Sequence, residues 1–121
     1  DYGPAIFKGS AAIVTLRNTI FSNNSGPPWA GSSCHTEMMD GGGNIQWPTA
    51  RGDGNPDQAC VANIPFEDPG LAALAGNGGV GQTFAITTTS PAAGIGSACP
   101  PTDQRGEARP MMGCAAGAFE P

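Results

Sequence analysis

Positive charge is scarce in this chain. Lys8, Arg17, Arg51, Arg105 and Arg109 are its only basic residues, against ten acidic ones, for a formal net charge of −5 over 121 residues. Nucleic-acid backbones are held by clustered Lys and Arg, so five scattered cations on an acidic chain exclude that class of partner. Histidine occurs once, at His35, and any acid–base or nucleophile-activating scheme that needs imidazole rests on it alone. No apolar run approaches the ~20 residues required to cross a bilayer. The opening Asp1-Tyr2-Gly3-Pro4 has neither the basic segment nor the apolar segment of a signal peptide. If the protein is exported, its N-terminus is expected to be processed or truncated.

Glycine (19) and proline (12), about a quarter of the chain, are plentiful instead. That share borders on the composition of disordered segments. Three features oppose disorder: charged residues are only 12%, apolar residues at 39% are spread along the whole length, and four cysteines are available as staples. A disordered segment carries more charge and less Ile, Phe and Trp. The expectation is one loop-rich, all-β domain over residues 1–121, with a modest core for its size.

Cys34, Cys60, Cys99 and Cys114 lack the close C-x₂₋₄-C pair of a structural zinc site. Four cysteines allow three disulfide connectivities. Cys34–Cys60 with Cys99–Cys114 is favoured, because each pair then encloses one Gly/Pro-rich loop without a core pattern of its own. Closing loops of ~15–26 residues is worth roughly 3–3.5 kcal/mol each in the chain-entropy account. Disulfides place the protein in an oxidising compartment: periplasm, cell surface or medium.

Residues 11–25 carry the clearest local signal. Val14 and Leu16 alternate with Thr15 and Arg17, the period-2 sign of a strand with one buried face. Asn18 interrupts, Ile20 resumes, and Asn23-Asn24 closes. Val14, Leu16 and Ile20 are expected inside, with Asn side chains stacking in ladders between coils. Strand, Asn bend, strand and Asn turn together resemble one coil of a parallel β-helix, with a partial coil expected before it at Ala5-Ile6-Phe7. One coil cannot bury its own apolar face or satisfy its edges. Downstream, Gly26-Pro27-Pro28-Trp29 leaves the coil and Gly43-Asn44-Ile45 returns as a strand. Asp68-Pro69 caps a predicted helical turn, Asn77-Gly78-Gly79 turns, Gln82 to Thr88 is a strand, and Ser90-Pro91-Ala92 is a turn.

Several ordered blocks carry a resemblance. They are Gly43-Asn44-Ile45, Asp68-Pro69-Gly70-Leu71-Ala72-Ala73-Leu74, Thr83-Phe84-Ala85-Ile86, Ser90-Pro91-Ala92, Thr102-Asp103-Gln104-Arg105-Gly106, Arg109-Pro110 and Gly117-Ala118-Phe119-Glu120. Together they resemble the choice-of-anchor Q domain, the conserved C-terminal region of bacterial surface proteins built on a right-handed parallel β-helix. The resemblance covers roughly residues 11–121. It departs at Phe84, Gly94 and Ala115, where that family usually has His, Asp and Asp. It implies a terminal β-helix coil over 1–25, followed by a loop-rich, disulfide-stapled cap over 26–121.

Candidate chemistry is sparse. Cys34 beside His35 is adjacent in sequence only, which is not the arrangement catalysis needs. Met38-Met39 and Met111-Met112 with His35 would suit a soft metal, but Met pairs serve equally as gap-fillers or contact surface. Asp53, Asn55 and Asp57 alternate like the start of a calcium loop, without the later glycine and glutamate of an EF-hand. Arg51-Gly52-Asp53 matches an integrin-binding tripeptide that occurs widely by chance. Glu37 with Asp40, or Asp53 with Asp57, are the pairs a polysaccharide-cleaving site would use. Trp29, Trp47 and Tyr2 are the candidates for stacking on carbohydrate. Asp103 and Arg105 are expected to form a structural ion pair, with Phe119 buried against Phe84 and Ile86, as a clasp for the terminal turn.

The reading is an exported, non-enzymatic structural module without a cofactor that ends a β-helix and supports adhesion or assembly. One alternative is an accessory subunit of a larger extracellular or membrane-peripheral complex. Another is the tail of a polysaccharide-active β-helix enzyme. Residues 5–24 are expected to be covered by upstream coils or by another protein subunit, because they carry more apolar bulk than one rung buries.

Overall fold

The computed structural model describes residues 4–26 and 31–121. Tyr2, Trp29 and the Pro27-Pro28 exit from the first coil lie outside the described residues. Among those described there is no helix, and the regular elements are six short strands. These are β1 (Thr15–Leu16), β2 (Ile20–Ser22), β3 (Met39–Asp40), β4 (Ile45–Trp47), β5 (Leu74–Ala75) and β6 (Thr83–Phe84).

Pairing in the first half is parallel. Thr15 lies opposite Met39 and Ile20 opposite Ile45, a step of roughly two dozen residues in both sheets. Single parallel bridges extend the pattern: Ile6 with Cys34, Met38 with Val61, and Gln46 with Phe66. Three successive passes of chain therefore lie side by side. The paired region reaches Phe66, well beyond the boundary near residue 25 that the sequence suggests. The signal fails in the later passes because Gly41-Gly42-Gly43 and Pro65 interrupt the apolar alternation.

Each pass turns at residues with left-handed backbone: Asn18 (φ 51°) in the first, Gly42 and Gly43 (φ 88° and 72°) in the second, Asn63 (φ 55°) in the third. Asn tolerates this region better than other side chains, and Gly enters it freely. At Gly43 a Cβ would also collide with the Asn18 side chain. The third pass takes a shorter path, where a turn from Ile64 N–H to Val61 C=O brings Ile64 into the interior.

Two apolar clusters result. The first lies inside the passes and comprises Leu16, Phe21, Cys34, Met38, Cys60, Val61 and Ile64. The second comprises Ile45, Ile86, Ala92, Ala115 and Ala116, with Ile20, Leu71, Ile95 and Phe119 against it. Phe21, not Ile20, is therefore the residue that β2 sends inward. Ile20 faces the other way, toward the C-terminal lobe, so the β2–β4 sheet is covered on both faces. Val14 and Leu16 pack inward, and Thr15 and Arg17 are exposed.

The C-terminal half departs from the sequence reading in two places. Gly70 has φ 62°, which no right-handed helical turn accommodates. Asp68 accepts a hydrogen bond from Gly70 N–H instead (2.9 Å), an Asx turn in place of a helix cap. Beyond it β5 and β6 pair antiparallel, Leu74 with Phe84. The strand expected over Gln82 to Thr88 shortens to Thr83–Phe84, and turns follow through residue 94.

Candidate functional site

Cys34–Cys60 and Cys99–Cys114 are both bridged, with Cα separations of 5.2 and 5.9 Å, inside the usual disulfide range. Cys34 and Cys60 are fully buried in the first cluster, so this bridge ties the second pass to the third through the core. The other ties the loop carrying Met111 and Met112 back beneath Gly96, where a Cβ would meet the Cys114 sulfur. No free cysteine remains.

The most developed polar constellation is the terminal clasp. Asp103 Oδ1 accepts from the N–H groups of Arg105 (2.8 Å) and Glu107 (3.2 Å), and Oδ2 from Arg105 Nε (2.8 Å) and Glu120 N–H (2.9 Å). Burial opposes ionisation of this carboxyl. The backbone N–H of Glu120, the Arg105 guanidinium and the N–H groups of Arg105 and Glu107 outweigh it, and hold the pKa down at about 2. Arg105 also donates to the Glu120 carbonyl (2.6 Å) and lies 3.7 Å over the Phe119 ring, a cation–π contact. Phe119 packs on the cluster that holds Ile86, whereas Phe84 is 49% exposed and stands outside the clasp.

Beside it, Arg109 donates to the Ala115 carbonyl (2.6 Å), the Gly117 carbonyl (2.7 Å) and the Glu120 carboxylate (3.0 Å). That same carboxylate accepts from Ala115 N–H (2.9 Å). Sequence reasoning missed this second pair. The Arg109-Pro110 block marks the position without revealing a partner eleven residues away.

A third constellation is internal. Gln46, fully buried, accepts from Cys60 N–H (3.0 Å) and donates to Asp57 Oδ2 (3.0 Å) and the Gln58 carbonyl (2.8 Å). The Asp57 carboxylate in turn accepts from the N–H groups of Ser32 (2.6 Å) and Ser33 (3.3 Å). The calcium reading of the sequence groups Asp57 with Asp53 and Asn55; the Asp57 carboxylate accepts these hydrogen bonds. Asp57 points to the second pass, while Asp53 accepts from Asn55 side chain and backbone and pairs with Arg51 at 3.3 Å. The Asn55 side-chain and backbone hydrogen bonds, despite the small cost of desolvation, lower the Asp53 pKa. The hydrogen bonds of Asp53 and Asp57 thus run to different parts of the chain. Among the described residues, no group of three or more His, Cys, Asp or Glu side chains is placed to hold a metal ion.

No family model, curated protein or solved structure matches this chain.

The remaining candidates stand apart. Arg51 and Asp53 pair with each other across a tight turn, and Gly52 and Asp53 of the Arg-Gly-Asp segment are exposed. His35 is exposed, with its ring 4.4 Å from that of Phe7. Met38 is core, whereas Met39, Met111 and Met112 are exposed. Asp40 accepts from Gly42 N–H (2.8 Å) and Asn44 Nδ2 (2.7 Å), a corner brace within its own pass, and its neighbour Glu37 is exposed.

Among the described residues, Asn18 and Asn44 link passes and lobe through hydrogen bonds to backbone, and no Asn–Asn hydrogen bond stands between passes. Asn44 accepts from Thr19 N–H (3.0 Å) and donates to the Leu16 carbonyl (2.9 Å). Asn18 exchanges two hydrogen bonds with the Ser97 backbone (2.8 and 2.9 Å), fastening the first bend to the C-terminal lobe.

Proposed function

We propose that this chain is a non-catalytic, exported structural module of the choice-of-anchor Q kind. In this reading residues 5–66 are terminal coils of a right-handed parallel β-helix. Residues 67–121 form a disulfide-stapled lobe clamped to their side, and the module supports adhesion or assembly at a cell surface. The observation that carries it is the parallel pairing of β1 with β3 and β2 with β4 at nearly the same step. A repeated step is the mark of a stacked architecture. The two disulfides support an oxidising compartment. No helix among the described residues is long and apolar enough to cross a membrane.

The polar constellations favour structure over chemistry in this reading. Asp103, Arg105, Arg109, Glu120, Gln46 and Asp57 all direct their groups at backbone or at one another, which leaves them committed to turns that would otherwise hold unsatisfied backbone. The test is amide hydrogen exchange together with polysaccharide turnover. The N–H groups of Met39, Gly41 and Ile45, which bond to Val14, Leu16 and Thr19 carbonyls, are expected to exchange slowly as one block. Turnover of an acidic or neutral polysaccharide that vanishes on Glu37→Gln or Asp53→Asn would overturn the reading.

A further inference from the structure

The four methionines range from core to open water. Met38 is 6% exposed, Met39 59%, Met112 88% and Met111 94%. The last two stand almost wholly in solvent, yet the loop that carries them is closed. The Cys99–Cys114 bridge ties its ends together, Pro110 precedes the pair, and Gly113, with φ 66°, follows it. Both flanks are held in place. Arg109 donates to the Ala115 and Gly117 carbonyls, and the Cys114 carbonyl accepts from Gly96 N–H (2.7 Å). Among the described residues neither Met111 nor Met112 makes a hydrogen bond, and neither joins an apolar cluster.

Peroxides attack cysteine thiolates most readily and methionine thioethers next. Here no cysteine is free, so methionine sulfur is the first reductant that an oxidant meets. Attack on a peroxide separates charge as the O–O bond breaks, and water stabilises that separation. A sulfur in open solvent therefore reacts ahead of one in an apolar core.

We propose that Met111 and Met112 form a peroxide-reactive modification site on the C-terminal lobe. Each sulfur lone pair attacks one oxygen of a hydroperoxide. An S–O bond forms and the O–O bond breaks. The proton of the attacked oxygen passes to the departing one, which leaves as water or an alcohol. Each thioether loses two electrons and each peroxide gains two, so the pair takes up two equivalents. The product is a polar, chiral sulfoxide. On this loop its oxygen is hydrated and displaces no contact. At Met38 the same oxygen would lie among Leu16, Phe21 and Val61 without a partner, and burying an unpartnered polar group is costly. Oxidation of the pair thus turns an apolar surface polar and leaves the core whole. The inference goes beyond the structural-module reading and does not depend on stacked coils. It depends on the closed loop and on every cysteine being bridged.

The test is graded hydrogen peroxide on the folded full chain, with oxygen uptake located by peptide mass spectrometry. Met111 and Met112 are expected to oxidise first and Met39 after them. Met38 should react about tenfold more slowly than the pair, or slower still. In urea all four should react at similar rates, because the fold and not the local sequence sets the order. The chain oxidised at the pair should keep its urea midpoint and elute earlier from a hydrophobic-interaction column. The double variant Met111→Leu, Met112→Leu should lose two equivalents of fast peroxide uptake and the change in elution. Oxidation of Met38 or Met39 ahead of the pair, or the same order retained in urea, would overturn the inference. So would fast uptake that survives the double variant, or a lowered midpoint once only the pair is oxidised.

Discussion

Asp103 shows how much one residue can organise. Its carboxylate accepts four hydrogen bonds from three residues, and it anchors the guanidinium that covers Phe119. Asp103→Ala is expected to cost about 1–3 kcal/mol, because it leaves buried N–H donors without an acceptor. The pH dependence follows from the depressed pKa. Unfolded, the carboxyl titrates near 3.8; folded, at about 2. Its contribution is therefore complete above the unfolded value and is lost as pH falls from about 4 toward 2. This amounts to about 2 kcal/mol in favour of the wild type. Urea midpoints of wild type and variant at pH 7 and pH 2.5 test this: the charge-linked part of the gap should be full at the first and fall to about a third at the second. A pH-independent gap would mean that lost packing, not the charge, explains the variant.

At the scale of elements, the two disulfides do different work. Loop length alone separates them little, since closure entropy grows only logarithmically with length. Position separates them more. Cys34 and Cys60 are fully buried among Leu16, Phe21, Met38 and Val61, whereas the Cys99 end of the other bridge is partly exposed. Replacing Cys34 and Cys60 together by Ala removes a crosslink and opens a void in the first cluster. It is expected to lower stability by more than the matching Cys99, Cys114 double variant, by about 1–2 kcal/mol. Equal midpoints in urea would show that the first cluster collapses around the missing sulfurs. The loop pattern in the sequence was enough to select this pairing. The burial of only one bridge was not legible, because it depends on Ile64 turning inward in the third pass.

For the molecule as a whole, the β2–β4 sheet is the shared wall of both clusters. Phe21 and Gln46 face one side, Ile20 and Ile45 the other. A strand buried on both faces couples what packs against it, so the passes and the lobe are expected to unfold together. Ile45→Ala, at a position only 1% exposed, should cost about 2–5 kcal/mol. Unfolding should remain a single transition followed equally by Trp47 fluorescence and far-ultraviolet dichroism. Two separated transitions would show that the lobe is an independent unit held to the passes mainly by Asn18 and Ser97.

By itself the sequence determined the all-β class, the first pass with its Asn bend, the disulfide pairs, and Asp103 with Arg105 as partners. Each of these is written in neighbouring residues: an alternation, a left-handed turn former, a loop without a core pattern, a charge pair two positions apart. Tertiary structure decided the rest. It continued the parallel pairing to Phe66, turned Ile20 outward and Phe21 inward, and drew Asp57 to Gln46 and the Ser32 and Ser33 amides. It joined Arg109 to Glu120, and let Gly70 replace a helical turn with an Asx turn. Those outcomes depend on which face a neighbouring pass covers and which distant backbone groups need a partner. Neither is fixed until the chain has closed on itself.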